Sequence, residues 1–71
     1  MKPDWKDAPE WANWLACDSD GTWTWYKNKP KILWTFWVPE MNDCLLKIAK
    51  KSRAKKGAFW ETTLEERPKA T

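Results

Sequence analysis

A 71-residue chain of net charge +3 has room for one small domain, and its eight tryptophans supply much of the apolar surface such a domain can bury. It has two cysteines and no histidine, which removes the commonest general base, the Ser/His and Cys/His nucleophile pairs, and a structural zinc site within one chain. No stretch nears the roughly 18 apolar residues of a membrane span, and Met1-Lys2 runs straight into Pro3-Asp4-Trp5, so a chain without a signal segment, soluble and intracellular, is expected.

The domain is expected to cover 1–71, with an irregular lead-in over 1–10 and a tail over 65–71. Two prolines and four charges in PDWKDAPE, residues 3–10, argue against a regular element and for a segment that tucks Trp5 against the body. WANWLAC, residues 11–17, is apolar and short. Asp18-Ser19-Asp20-Gly21 follows with turn chemistry, since Asp bonds nearby backbone and Gly accepts positive φ. TWTWYK, residues 22–27, alternates with Trp23 and Trp25 on one face and Thr22, Thr24 and Tyr26 on the other. Strand, turn, strand is the simplest reading, with WANWLAC as the partner.

Asn28-Lys29-Pro30-Lys31 breaks the pattern. ILWTFWV, residues 32–38, is apolar on both faces and is predicted as a central strand, ended by Pro39. From Met41 the period changes. Met41, Cys44, Leu45, Ile48, Ala49 and Ser52 form one helical stripe, with Lys47, Lys50 and Lys51 on the opposite face. Asn42 is the candidate N-cap and Gly57 the stop, which predicts a helix over 42–56. AFWETTL, residues 58–64, reads as a last strand before Glu65-Glu66-Arg67-Pro68 leaves the domain. The expected class is α+β: a small twisted antiparallel sheet of three or four strands packed with one amphipathic helix, in the order β-β-β-α-β. Trp23, Trp25, Trp34, Phe36, Leu45 and Ile48 are the expected core, where Ile48→Asp would unfold the domain.

Charge is segregated along the chain. Residues 1–20 carry two Lys against five acids, 21–39 three Lys and no acid, and 40–57 six basic residues against two acids. Such asymmetry steers an anionic partner. Lys47, Lys50, Lys51, Arg53 and Lys55, with Lys27, Lys29 and Lys31, are the candidate anion or nucleic-acid contacts, and exposed Trp rings would stack bases. The bland reading is a solvated face that keeps the helix soluble. Trp14, Trp37 and Tyr26 lie opposite the faces assigned to the core and are the candidate partner contacts, Trp and Tyr being common hot-spot residues. The Asp18–Gly21 segment resembles the opening of a calcium loop only weakly, because its twelfth position is Lys29 where a bidentate Glu is needed. Neither a metal nor a cofactor is expected. Cys17 and Cys44 are read as two reduced thiols, with a single bridge as the alternative.

Three segments carry a resemblance. Asp4-Trp5-Lys6-Asp7-Ala8-Pro9-Glu10-Trp11-Ala12, Asp20-Gly21-Thr22-Trp23-Thr24-Trp25-Tyr26 and Trp60-Glu61-Thr62-Thr63-Leu64-Glu65-Glu66-Arg67-Pro68 resemble a set of short, mostly uncharacterised tailed-phage proteins. These share a W-x-x-A-P-E-x-A opening, a D-G-x-W-x-W hairpin and a W-x-x-(S/T)-L-E-x-R-P ending. The resemblance covers about half the chain, excludes the Lys-rich segment and implies a phage origin without an assigned activity. With no catalytic constellation, the expected function is a non-enzymatic phage accessory protein. It would act in the cytoplasm of the infected bacterium, binding and inhibiting or redirecting a host protein, with an anti-defence role the leading form. The alternative is a nucleic-acid or nucleotide-binding module using the basic face and exposed Trp residues. No membrane partner is expected. A homodimer is the further expectation, because one helix cannot cover both faces of strand 32–38.

Overall fold

A computed structural model of the chain describes residues 3–39, 45–51 and 60–69, which two antiparallel sheets organise. β1 (Trp14–Cys17) and β2 (Thr22–Tyr26) form the hairpin that the sequence indicates, with Trp14 opposite Tyr26 and Cys17 opposite Trp23. In its turn, Gly21 N–H donates to Asp18 O at 2.9 Å, and Gly21 takes φ 91°. A residue with a Cβ pays about 1–2 kcal/mol for the left-handed region, so glycine is the natural choice here. β3 (Pro30–Leu33) and β4 (Phe36–Pro39) make a separate two-stranded sheet. β5 (Leu46–Lys51) and β6 (Glu65–Glu66) complete the first sheet in the order β5-β2-β1-β6. Trp5–Asp7 and Trp60–Thr62 are single 3-10 turns.

The α+β expectation is overturned. Residues 46–51, placed in the helix by the sequence reading, are strand, and the described residues hold two sheets and no amphipathic helix. The remainder of that expected helix, 42–44 and 52–56, lies outside the described residues apart from Leu45. The physical cause is the second edge of β2, whose buried backbone groups need partners. β5 supplies them, pairing Tyr26 with Leu46 and Trp25 with Lys47, while Lys27 N–H donates to Leu45 O at 3.0 Å. A short run such as LKIAKK fits either period, and tertiary pairing decides between them. The register shifts between Trp23 and Thr24, which inserts Ala49 as an extra residue in β5.

Two further expectations are corrected. Residues 32–38 are not one central strand, because the chain reverses at Trp34-Thr35 and Ile32 pairs with Trp37. The last strand is not 58–64. Trp60–Thr62 is a helical turn, the strand is Glu65–Glu66 against Trp14 and Leu15, and residues 58–59 lie outside the described residues. Thr63 explains the displacement. Its hydroxyl accepts from Cys17 N–H at 2.8 Å and donates to Trp60 O at 2.6 Å, so a side chain fills the place beside Cys17 that a strand backbone would take.

Each face of the four-stranded sheet has its own cluster. On one, Ala12, Leu15 and Trp25 are buried with Trp5, Ala8, Trp11, Trp23 and Ala49 packed around them, so the lead-in does tuck Trp5 against the body. On the other, Ala16, Tyr26 and Trp37 are buried with Trp14, Trp60 and Leu64. Of the expected core, Trp25 is buried and Trp23 half-buried, but Trp34, Phe36, Leu45 and Ile48 are exposed. Ile48, 52% exposed on β5, has no core for a charge to disrupt.

Candidate interaction surface

The β3–β4 hairpin is held to the rest of the fold through Trp37 and the turn residue Thr35, while its other large apolar side chains face water. Trp37 N–H donates to the Asp18 carboxylate at 2.7 Å, and its indole Nε1 donates to Cys17 O at 2.9 Å. Ser19 N–H donates to Thr35 O at 3.2 Å, and Tyr26 OH to Trp37 O at 3.2 Å. The Trp37 ring meets Trp60 edge-on with centroids 6.3 Å apart. These contacts hold β4 on the sheet while Ile32, Leu33, Trp34 and Phe36 remain exposed. Trp34 is 81% exposed and sits at φ 57°, the only non-glycine described at positive φ. Bulky residues in that region cost about 1–3 kcal/mol and persist only where surrounding contacts over-determine them. Exposed Lys27, Lys29 and Lys31 stand at the base of the hairpin, with Lys29 Nζ 5.6 Å over the Trp14 ring.

The partner contacts expected at Trp14, Trp37 and Tyr26 are brought together, but inside the fold. Trp37 and Tyr26 are buried and Trp14 is half-buried against them, so neither Trp37 nor Tyr26 presents a surface. The exposed aromatic is Trp34, which the sequence hides because it stands in an apolar run with no glycine or asparagine to mark a turn.

A second feature is a groove of about 480 Å³ between the lead-in and β5, lined by Asp4, Lys6, Asp7, Trp25, Lys47 and Lys50 among others. The extra residue at Ala49 puts Lys47 and Lys50, three apart in sequence, on the same face, opposite Trp25 and Trp23. Lys51 ends β5 opposite Thr22, and Arg53 and Lys55 lie outside the described residues. Asp4 and Asp7 line the same groove as these lysines, and Trp25 is too buried to stack a base.

Arg67 ties the chain ends together. Its Nη1 lies 3.0 Å from Pro9 O, 2.8 Å from Ala12 O and 3.3 Å from Glu10 O, and its backbone N–H donates to Asn13 O at 2.7 Å. The guanidinium carbon is 5.8 Å from the Trp5 ring, whose Nε1 donates to Glu65. Trp5 in turn packs on Trp25 with centroids 4.9 Å apart. The lead-in, the first hairpin and the C-terminal segment therefore meet at Trp5.

Burial, then the charges of Asp18 and Asp20, push the Cys17 thiol above its ordinary value, so it stays protonated at neutral pH. Cys44, its expected companion thiol, lies outside the described residues. Asp18 is also pushed up, chiefly by burial and secondarily by Asp20, against the opposing effect of the Trp37 N–H bond. A carboxyl raised in the fold binds protons more tightly there than in the unfolded chain. Its stabilisation is complete below the ordinary value of 3.8 and is lost as pH rises through the folded value. Asp18→Asn keeps an acceptor for Trp37 N–H without the charge. Its melting temperature should therefore gain on that of wild type as pH rises through this window and level off above it. A pH-independent difference in scanning calorimetry would contradict the assignment.

Among the described residues no group of three or more Cys, Asp or Glu side chains is arranged to hold a metal ion, and no helix is long and apolar enough to cross a membrane. Comparison with protein-family models, curated proteins and solved structures finds no match.

Proposed function

We propose that this protein is a non-enzymatic phage accessory protein that binds a host protein of the infected bacterium, and that the tip of the β3–β4 hairpin is its contact element. The observation that carries this reading is Trp34, an indole held in left-handed backbone and turned to water. Neither the backbone strain nor the exposure helps the isolated fold, and a bound pocket would repay both. Trp is the residue most enriched among interface hot spots, where truncation costs about 2 kcal/mol or more. Ile32, Leu33 and Phe36 extend the apolar contact around it. The phage origin and the host partner rest on the resemblance of the three motif segments.

Trp34→Gly tests the reading, since glycine relieves the strain and removes the ring. Affinity purification from infected cells should recover a host protein with wild type and lose it with the variant, whose melting temperature should be no lower. Equal recovery by both proteins would sink the assignment.

The alternative, a nucleic-acid or nucleotide-binding module, draws support from Lys47 and Lys50 converging on one groove. Trp25, the ring in that groove, is too buried to stack a base, which weighs against a nucleic acid or nucleotide there. The self-association expected from strand 32–38 rests instead on the exposed Ile32, Leu33, Trp34 and Phe36 of the hairpin, and sedimentation at micromolar concentration tests it.

A further inference from the structure

β5 is an edge strand, six residues long, with no second neighbour among the described residues. Which of its backbone groups face outward follows from the ladder. Lys27 N–H donates to Leu45 O, which makes Lys27 and Leu45 a hydrogen-bonded pair. Antiparallel pairing alternates, so Trp25 and Lys47 form the next such pair, while Tyr26/Leu46 and Thr24/Ile48 do not bond to each other. The N–H and C=O of Leu46 and Ile48 therefore point off the edge of the sheet. The other side of the ladder agrees: Asp18 N–H donates to Thr22 O, and the same alternation directs the backbone of Thr24 and Tyr26 toward β1.

The side chains along this edge are sorted by face. Leu46 and Ile48 lie on the face of Tyr26 and Thr24, and both are about half exposed. Lys47 and Lys50 lie on the face of Trp25 and Trp23, exposed beside the groove, where Lys6 adds a third cation against the carboxylates of Asp4 and Asp7. We propose that the outer edge of β5 receives an extended strand in which acidic and apolar side chains alternate. Its backbone pairs with Leu46 and Ile48, its apolar residues lie against their side chains, and its carboxylates face Lys47 and Lys50. This is strand addition, in which main-chain bonds give affinity and alternate side chains give specificity. A second copy of β5 is disfavoured, since antiparallel pairing about Lys47 sets lysine against lysine, and lysines on an edge block this kind of self-pairing. The surface is separate from Trp34 and stands independently of the hairpin reading.

Two synthetic heptapeptides test it, one alternating Glu and Val and one alternating Lys and Val, titrated into isotope-labelled protein. The Glu/Val peptide should shift the amide signals of Leu46 and Ile48 and slow their hydrogen exchange. The Lys/Val peptide should bind at least about tenfold more weakly, and the double variant Lys47→Glu, Lys50→Glu should invert the preference. Trp34→Gly should leave both affinities unchanged. Absence of binding, equal binding of the two peptides, or shifts that avoid Leu46 and Ile48 would each overturn the proposal.

Discussion

Arg67→Ala should lower the stability of this protein by about 3 kcal/mol, since hydrogen bonds from a charged donor contribute roughly 1.5–3 kcal/mol each and are not additive. The guanidinium reaches three carbonyls, of Pro9, Glu10 and Ala12, and lies over the Trp5 ring. Removing it takes a donor from the partly buried carbonyls of Pro9 and Ala12, of which Pro9 O keeps the Ala12 N–H at 3.0 Å, and uncovers an indole. A chain of this length is stable by roughly 4–10 kcal/mol in all, so the expected fall in melting temperature is about 12–20 °C. Arg67→Lys keeps the charge but presents a compact ammonium without the planar fork, and should restore less than half of the loss. Thermal unfolding of the three proteins checks both statements. A fall of only a few degrees for Arg67→Ala would show that the chain ends are held by other contacts.

Trp37→Ala should be comparably damaging, at about 3–5 kcal/mol. The ring is buried against Ala16 and Tyr26, its Nε1 satisfies Cys17 O, and it stacks edge-on with Trp60. Its loss opens a cavity on one face of the sheet and frees the hairpin that carries Trp34. The contrast is the informative measurement: of two tryptophans three residues apart, Trp37 should be needed for folding, while Trp34→Gly should leave stability equal or higher. Denaturant unfolding of the two variants decides it. Similar stability losses would mean that Trp34 is packed rather than presented.

These two residues also mark how far the sequence could be read. The first hairpin was legible because its signals are local: alternation in TWTWY and an Asp-rich turn closing on glycine. The reversal at Trp34-Thr35 has no local signal. It is imposed by the bond that Thr35 O accepts from Ser19 and those that Trp37 donates to Asp18 and Cys17, far away in sequence. The segment around β5 failed for the opposite reason. A helical stripe and a bulged strand place the same apolar residues acceptably, and the unpaired edge of β2 chose between them. Of the candidate contacts, Lys47 and Lys50 do share a face, through an inserted Ala49 and not through a helical turn. Tyr26 and Trp37 read as surface residues because nothing local shows that β4 brings Trp37 onto Tyr26.

The tie between Arg67 and the carbonyls of residues 9–12 also sets an order of events at the ribosome. The lead-in is synthesised well before Arg67, the side chain that secures it. Until then Trp5 and Trp11 have the first hairpin and Ala49 to pack on, without Glu65 and Arg67 to hold Trp5. The nascent chain must keep these indoles from other partners while more than fifty further residues are added between residues 12 and 67. Folding of these residues therefore closes as a ring only once Arg67 has emerged, and a nascent chain stalled before it would carry an undocked, aromatic lead-in.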